Sequence, residues 1–315
     1  MITLNDVQEA RENIKTITKT TPILTSEQLN ETCGNAMHLK AEHLQKTGSF
    51  KIRGAANKVK HAAKKGAKHV TAASSGNHGQ AVAYIANELG IPATIVVPGD
   101  ASACKVDAIQ AYNGIVETCG TTSSERIPRA KQLAADVNGV FIPPYDDPFI
   151  MAGQGTIGLE ILEQVTGVDI VVVPVGGGGL LSGVLTAVKE TNPQVKVIGV
   201  EPEVANDTHL SLENEKITSI DAAPTIADGL RTSQPGDLTF PVLQKYVDDL
   251  VLVSEAEIRA ALRFVYERMK QVIEPSSAVT IAAGMTGKLN ASGKQVVNII
   301  SGGNVDLNQL PSLLK

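Results

Sequence analysis

The sequence predicts an α/β fold of parallel-rich sheets covered by helices, and three observations carry that prediction. From His69 onward, short apolar runs alternate with helical patterns, the rhythm of strand, loop and helix that builds a parallel sheet. The run Ile170-Val171-Val172-Val173-Pro174-Val175 is apolar throughout, as a strand covered on both faces must be. Three strand ends, at Ser74–Gly79, Gly176–Gly179 and Ser301–Asn304, carry glycines and small polar residues, and such ends are where open α/β sheets collect ligands.

The elements follow in order. Val7, Ala10 and Ile14 share one helical face behind an Asn5 cap, and Met37 to His43 alternates as a strand. Phe50 to Lys65 reads as a helix stopped by Gly66. Strands are expected at His69–Ala73, Thr94–Val97, Ile115–Thr118 and Val140–Ile142. The helices between them end at Leu89, span Ser102–Tyr112 and span Ser123–Asp136. The run Pro143-Pro144-Tyr145-Asp146-Asp147-Pro148 marks a crossing between two domains, 67–146 and the remainder (1–66 with 147–315). Beyond it come a helix at Gly155–Val165, the apolar strand, a helix from Leu180 and a strand at Val195–Val200. A long helix at Glu255–Ile273, another after Glu274-Pro275 and a strand at Val296–Ile300 complete the chain.

Composition narrows the function. A chain of 315 residues suggests about two domains, and 43% apolar residues exclude disorder. The net charge of -5, with lysines scattered among acids, offers no basic face to nucleic acid or a membrane surface. Cys33, Cys104 and Cys119 show no metal-site spacing and read as reduced thiols of a cytoplasmic protein. The N-terminus leads directly into a charged amphipathic segment with no apolar leader core. The most apolar stretch, Ile170 to Leu185, contains a proline and five glycines, so it reads as a core element of a soluble protein.

Four stretches could carry chemistry. Lys51, between Phe50 and a helix start, could be a desolvated amine that attacks a carbonyl, or an ordinary surface charge. Gly176-Gly177-Gly178-Gly179, between a buried strand and a helix, leaves backbone N–H groups bare for a phosphate; close strand–helix packing is the alternative. No GK[ST] follows, and the run is not GxGxxG with an acid about twenty residues on that would clearly mark dinucleotide binding, so it reads as neither a Walker loop nor a dinucleotide fingerprint. Ser74-Ser75-Gly76-Asn77-His78 could hold a carboxylate at a helix N-terminus or simply cap that helix. Ser301-Gly302-Gly303-Asn304 ends the last strand, as a ligand loop or a plain turn.

Taken together and in order, Ser49-Phe50-Lys51-Ile52-Arg53-Gly54-Ala55, Ser74 to Gln80, Gly176 to Gly179 and Ser301 to Asn304 resemble the serine racemase and threonine dehydratase family. Its members are pyridoxal-phosphate enzymes of the two-domain tryptophan-synthase-β-like fold (fold type II). The resemblance implies Lys51 as the Schiff-base lysine, Phe50 beside the cofactor ring and Asn77 on its hydroxyl. It implies Gly176, Gly177, Gly178 and Gly179 as the phosphate cradle and Ser301 as partner of the pyridine nitrogen. Ser74, Ser75, Gly76, Asn77 and His78 then form the substrate-carboxylate loop.

A neutral Ser301 hydroxyl cannot hold a pyridinium as an aspartate would, so the ring is a tempered electron sink, suited to β-elimination. The resemblance further implies dehydration of L-threonine and L-serine to a 2-oxo acid and ammonia. Dehydratases devoted to threonine usually carry alanine where this chain has Ser75, whereas racemases have serine as the acid/base on the second face. Serine racemase activity is therefore expected as well. Arg126 matches a position that can reach a second carboxylate, which would admit 3-hydroxyaspartate; an exposed helix-start arginine is the alternative. Glu201, Ala205 and Asp207 match the family's Mg²⁺ or Ca²⁺ site, two carboxylates and a carbonyl of suitable hardness, against a solvated acidic loop. A homodimer is implied. No regulatory domain follows Ser301, so feedback by isoleucine is not expected. A binding module for phosphate ligands, lacking the lysine chemistry, is the non-enzyme alternative, and Lys51 speaks against it.

Overall fold

The computed structural model describes residues 1–74, 76–221 and 223–315, the side chain of Ser123 apart. Its strands are β1 (Ile23–Thr25), β2 (Ala36–Ala41), β3 (Val70–Ala73), β4 (Ala93–Val97), β5 (Ile115–Thr118), β6 (Val140–Phe141), β7 (Ile170–Pro174), β8 (Lys196–Pro202), β9 (Asp249–Val253) and β10 (Gln295–Ile300). Its helices are α1 (Leu4–Ile14), α2 (Glu27–Cys33), α3 (Lys51–Lys64), α4 (Asn77–Glu88), α5 (Ala103–Ala111), α6 (Ser123–Asp136), α7 (Pro148–Gln164), α8 (Gly179–Thr191), α9 (Asp207–Glu213), α10 (Phe240–Tyr246), α11 (Glu255–Phe264), α12 (Pro275–Met285) and α13 (Leu310–Leu313).

These strands form two sheets. One has the order β1-β2-β10-β7-β8-β9 and the other β5-β4-β3-β6. Every pairing is parallel except that of β1 with β2. Strand β7 explains its own apolar sequence. Val171 and Val173 face a core shared with α1, α7 and α8, while Ile170 and Val172 face one shared with α11 and α12. Helices α7 and α8 approach so closely that a Cβ on Gly183 would lie 2.2 Å from the Met151 carbonyl oxygen. The smaller sheet packs against α3, α4 and α5 on one side and α6 on the other.

The departures from expectation have local causes. Thr3, not Asn5, caps α1, because its side chain takes the Asp6 N–H and Asp6 returns to the Thr3 N–H. Helix α7 begins at Pro148, seven residues before the expected Gly155. Asp147 accepts from the Phe149 and Ile150 amides, and proline lacks only an N–H that a first turn leaves unpaired. The helix expected to reach Ile273 stops at Phe264. A wider π-type turn follows over Val265–Met269, and Lys270, at φ 58°, turns the chain. β1, α2, α10 and β9 escape the sequence pattern because they are short and are held by their neighbours.

What positions the site is a seam between two chain segments. Phe50 N–H donates to the Ser301 carbonyl at 3.0 Å, Gly303 N–H to Gly48 at 2.9 Å, and Ser49 bridges Gly302. The C-terminal ends of β3, β7 and β10 therefore open beside the first turn of α3.

Candidate active site

Lys51 is the first residue of α3, and its Nζ donates to the Pro144 carbonyl at 2.7 Å, 5.2 Å from the centre of the Phe50 ring. Burial pushes this ammonium down to about 8, with Glu274 pulling the other way. An amine near 8 is partly neutral at physiological pH, which is the form that attacks carbonyls and removes protons. A surface lysine would not be placed so.

Around it lies a cavity of about 180 Å³ that gathers the sequence-predicted groups. Phe50, Ser74, Gly76, Asn77, His78, Arg126, Gly176 to Gly179 and Ser301 all line it. Ser75 lies outside the described residues. A larger groove, about 910 Å³ between α1, α3 and the start of α7, contains none of these groups.

The glycine run leaves β7 and enters α8 through Gly178, whose φ of 86° is left-handed. A Cβ on Gly177 would lie 2.4 Å from the Tyr145 ring, and one on Gly179 would meet Tyr145 too. Glycine here thus serves close packing under Tyr145 and, in the same turn, bares the α8 N-terminus to the cavity. Close packing, one of the two readings of the sequence, is thus present in the turn.

His78 is buried, and its Nε2 lies 2.9 Å from the Ile142 carbonyl, an acceptor, so that nitrogen carries the hydrogen. Burial and the Lys51 charge push it down to about 3, against the Ile142 contact, so it stays neutral at working pH. Ser301 is buried, with its Oγ 3.1 Å from the Ser277 Oγ. Arg126, on α6, is buried at the cavity wall; burial lowers its pKa, and Asp100 opposes this.

Sequence reasoning missed Glu274. It precedes Pro275 and looked only like a helix entry, yet it faces Lys51 and accepts from Asn77 Nδ2 at 2.8 and 3.0 Å. Burial, reinforced by Asp228, raises it to about 7, while Asn77, Lys105 and Lys51 oppose the shift. Lys105 pairs with Asp228 across the cavity mouth. No spacing rule joins these positions, because folding alone brings them together.

Glu201, Ala205 and Asp207 stand apart from the cavity, at the end of β8 and the start of α9. Glu201 accepts from the Thr208 and His209 amides at 3.1 and 2.9 Å, and Thr232 Oγ1 lies 3.3 Å from both Asp207 oxygens. Thr232 also lines the cavity, so the two sites adjoin. Both carboxylates are fully buried. Desolvation, with Asp207's charge adding to it, raises Glu201 to about 8; desolvation raises Asp207 to about 7. Among the described residues no three His, Cys, Asp or Glu side chains are grouped so as to hold a metal ion, so a cation here would rest on two carboxylates and a carbonyl.

The donor set fits pyridoxal phosphate. It combines an amine of lowered pKa, a bare helix N-terminus for a dianion, an aromatic neighbour and a neutral buried hydroxyl. Comparison with known proteins agrees. Residues 14–302 match the family model described as pyridoxal-phosphate dependent enzyme. The chain is 45% identical over 315 residues to an L-threonine ammonia-lyase of Thermotoga maritima, covering 100% of this chain and 78% of that one. It is 42% identical over 313 residues to an L-threo-3-hydroxyaspartate ammonia-lyase of Saccharomyces cerevisiae, covering 99% and 96%. Maize serine racemase superposes with a TM-score of 0.94 at 37% identity, covering 98% of this chain and 96% of that structure. The chain therefore belongs to the pyridoxal-phosphate-dependent enzyme family and has its tryptophan-synthase-β-like, fold type II architecture.

Proposed function

We propose that this protein is an ammonia-lyase that dehydrates and deaminates L-threonine and L-serine, and that it interconverts the serine enantiomers on the same site. The observation that carries this reading is Lys51, an amine held near pKa 8 in a cavity rimmed by the glycine loop. Relatives named L-threonine ammonia-lyase and serine racemase support it.

Gly176 to Gly179 would hold the cofactor phosphate through backbone N–H groups, Asn77 the ring hydroxyl, Ser301 the ring nitrogen, and Phe50 would flank the ring. When bound, pyridoxal phosphate supplies an electron sink for charge developing at the substrate's α-carbon. Ser74, Gly76, Asn77 and His78, at the positive end of α4, bind the substrate carboxylate. Neutral Lys51 Nζ takes the α-proton, and the electron pair closes the Cα=Cβ bond as the β-hydroxyl departs with a proton as water. The released enamine rearranges and takes up water, yielding the 2-oxo acid and ammonia. For racemisation, Ser75 is assigned the proton on the opposite face. His78, neutral and donating to Ile142, orients rather than titrates.

Arg126, buried at the wall, makes 3-hydroxyaspartate the favoured second substrate, in line with the yeast relative's name. Assaying 2-oxo acid from threonine, serine and 3-hydroxyaspartate, with the chirality of residual serine, tests the reading. No 2-oxo acid from any of the three would reject it.

Glu201, Asp207 and the Ala205 carbonyl are assigned Mg²⁺ or Ca²⁺, since the two fully buried carboxylates touch amides and a hydroxyl but form no ion pair with a Lys, Arg or His among the described residues. Either cation should raise the melting temperature of chelator-treated protein, because it binds only the folded form. An unmoved melting curve contradicts the assignment. The reading also carries a two-domain division at 67–146 against 1–66 with 147–315, supported by one sheet in each part, and a homodimer working in the cytoplasm. Three free cysteines suit that compartment, and among the described residues no helix is long and apolar enough to cross a membrane.

A further inference from the structure

Asn304 closes the last glycine-rich strand end, yet its side chain reaches two other loops. Its Nδ2 lies 2.7 Å from the Thr47 carbonyl and 2.8 Å from Asn77 Oδ1. A backbone carbonyl only accepts, so the nitrogen of Asn304 must face this junction. The Asn77 atom that meets it must then be oxygen. The Asn77 NH2 is left facing Glu274, at 2.8 and 3.0 Å from the two carboxylate oxygens. One backbone oxygen thus sets the polarity of the side chains in turn.

That oxygen cannot easily turn away. Thr47 is held at φ 61°, left-handed and strained for a β-branched residue, and Gly48 follows at φ 69°. A Cβ on Gly48 would lie 2.4 Å from Asn304 Oδ1, so Asn304 is seated against the turn it bonds. Gly303 N–H fastens Gly48 from the same strand end.

We propose that Asn304 is a positioning residue. By donating to both Thr47 and Asn77, it holds the Asn77 amide with its NH2 toward Glu274 and the cavity. In that orientation Asn77 can donate to the ring oxygen of pyridoxal phosphate, and the inference rests on the functional reading above. Without the Asn304 donor only Glu274 holds the amide, which then turns over more readily and presents an acceptor instead. The contact also ties Asn77 to the loop that leads into Lys51.

Two variants separate this role from packing. Asn304→Leu keeps most of the volume without a donor, and Asn304→Asp keeps the shape but replaces both donors with acceptors. The dissociation constant of pyridoxal phosphate and the wavelength of its bound absorption band are measured on each purified protein, with melting curves to confirm folding. Both variants should lose about tenfold in cofactor affinity, the size of one hydrogen bond, and shift the band. Wild-type affinity and band in Asn304→Leu overturn the inference alone. A wild-type protein that takes up no cofactor overturns the functional reading and this inference together. Independently of any variant, a crystal structure of the loaded protein must keep Asn304 within hydrogen-bonding distance of Thr47 and Asn77, and a gap at either contact also overturns it.

Discussion

Racemisation needs a proton donor on each face of a planar carbanion, whereas elimination needs only the base that removed the α-proton. If Lys51 serves one face and Ser75 the other, Ser75→Ala should suppress D-serine formation from L-serine by at least about a hundredfold, the scale of a lost general acid. It should leave 2-oxo acid formation from L-threonine within a few-fold. Chiral chromatography and 2-oxo acid measurement on one sample, after cofactor binding is shown to be normal, give both numbers. Equal loss of both activities would make Ser75 a binding residue only. At this scale, the residues whose place at the cavity was legible in the sequence were those inside local motifs: Lys51 beside Phe50, Asn77 at a helix start, Ser301 at a strand end. Glu274 was not legible, because its partner Asn77 lies 197 residues away and a single acid before a proline has no pattern. Asn304 stood in a motif, but its two contacts exist only after folding.

Among the elements, the glycine loop and α8 carry the assignment of phosphate binding. A valine at Gly177 would drive its Cβ into the Tyr145 ring and crowd the turn that lines the cavity. Gly177→Val should weaken pyridoxal phosphate at least about tenfold while changing the binding of pyridoxal, which lacks the phosphate, much less. Equal weakening of both ligands, measured by fluorescence titration, would make the loop a packing device alone. The amphipathic helices and the β-branched runs were legible: β5 and α6 were read to the residue, and α3 and β10 within one. The start of α7 was not, because Pro148 reads as a turn until Asp147 is seen to cap it. The end of α11 was not, because its π-type turn keeps a helical pattern of side chains.

In the whole molecule, the larger sheet and the lysine-bearing helix are joined by a buried ionic cluster. Arg53, two residues past Lys51, contacts Glu42 at 2.8 Å and Glu160 at 2.6 Å, and Lys40 meets Glu160 at 2.5 Å. All are buried, and the cluster spans β2, the turn after it, α3 and α7. Arg53→Met would strand Glu42 and leave Glu160 with Lys40 alone, so it should cost about 3–5 kcal/mol of stability. Denaturant unfolding checks this, and a cost below about 1 kcal/mol would show that the acids find other partners. The architecture as a class was legible because parallel strands buried on both faces need unbroken apolar sequence. This cluster was not, since its charges look like ordinary surface residues until α3 and α7 cover them. The claim on which everything else rests is that the fold delivers one desolvated lysine to the glycine loop. Reducing the pyridoxal-phosphate-loaded protein with borohydride and mapping its peptides by mass spectrometry tests it directly. The cofactor should be found fixed to Lys51 and to no other lysine; its attachment elsewhere, or no attachment, would contradict the account.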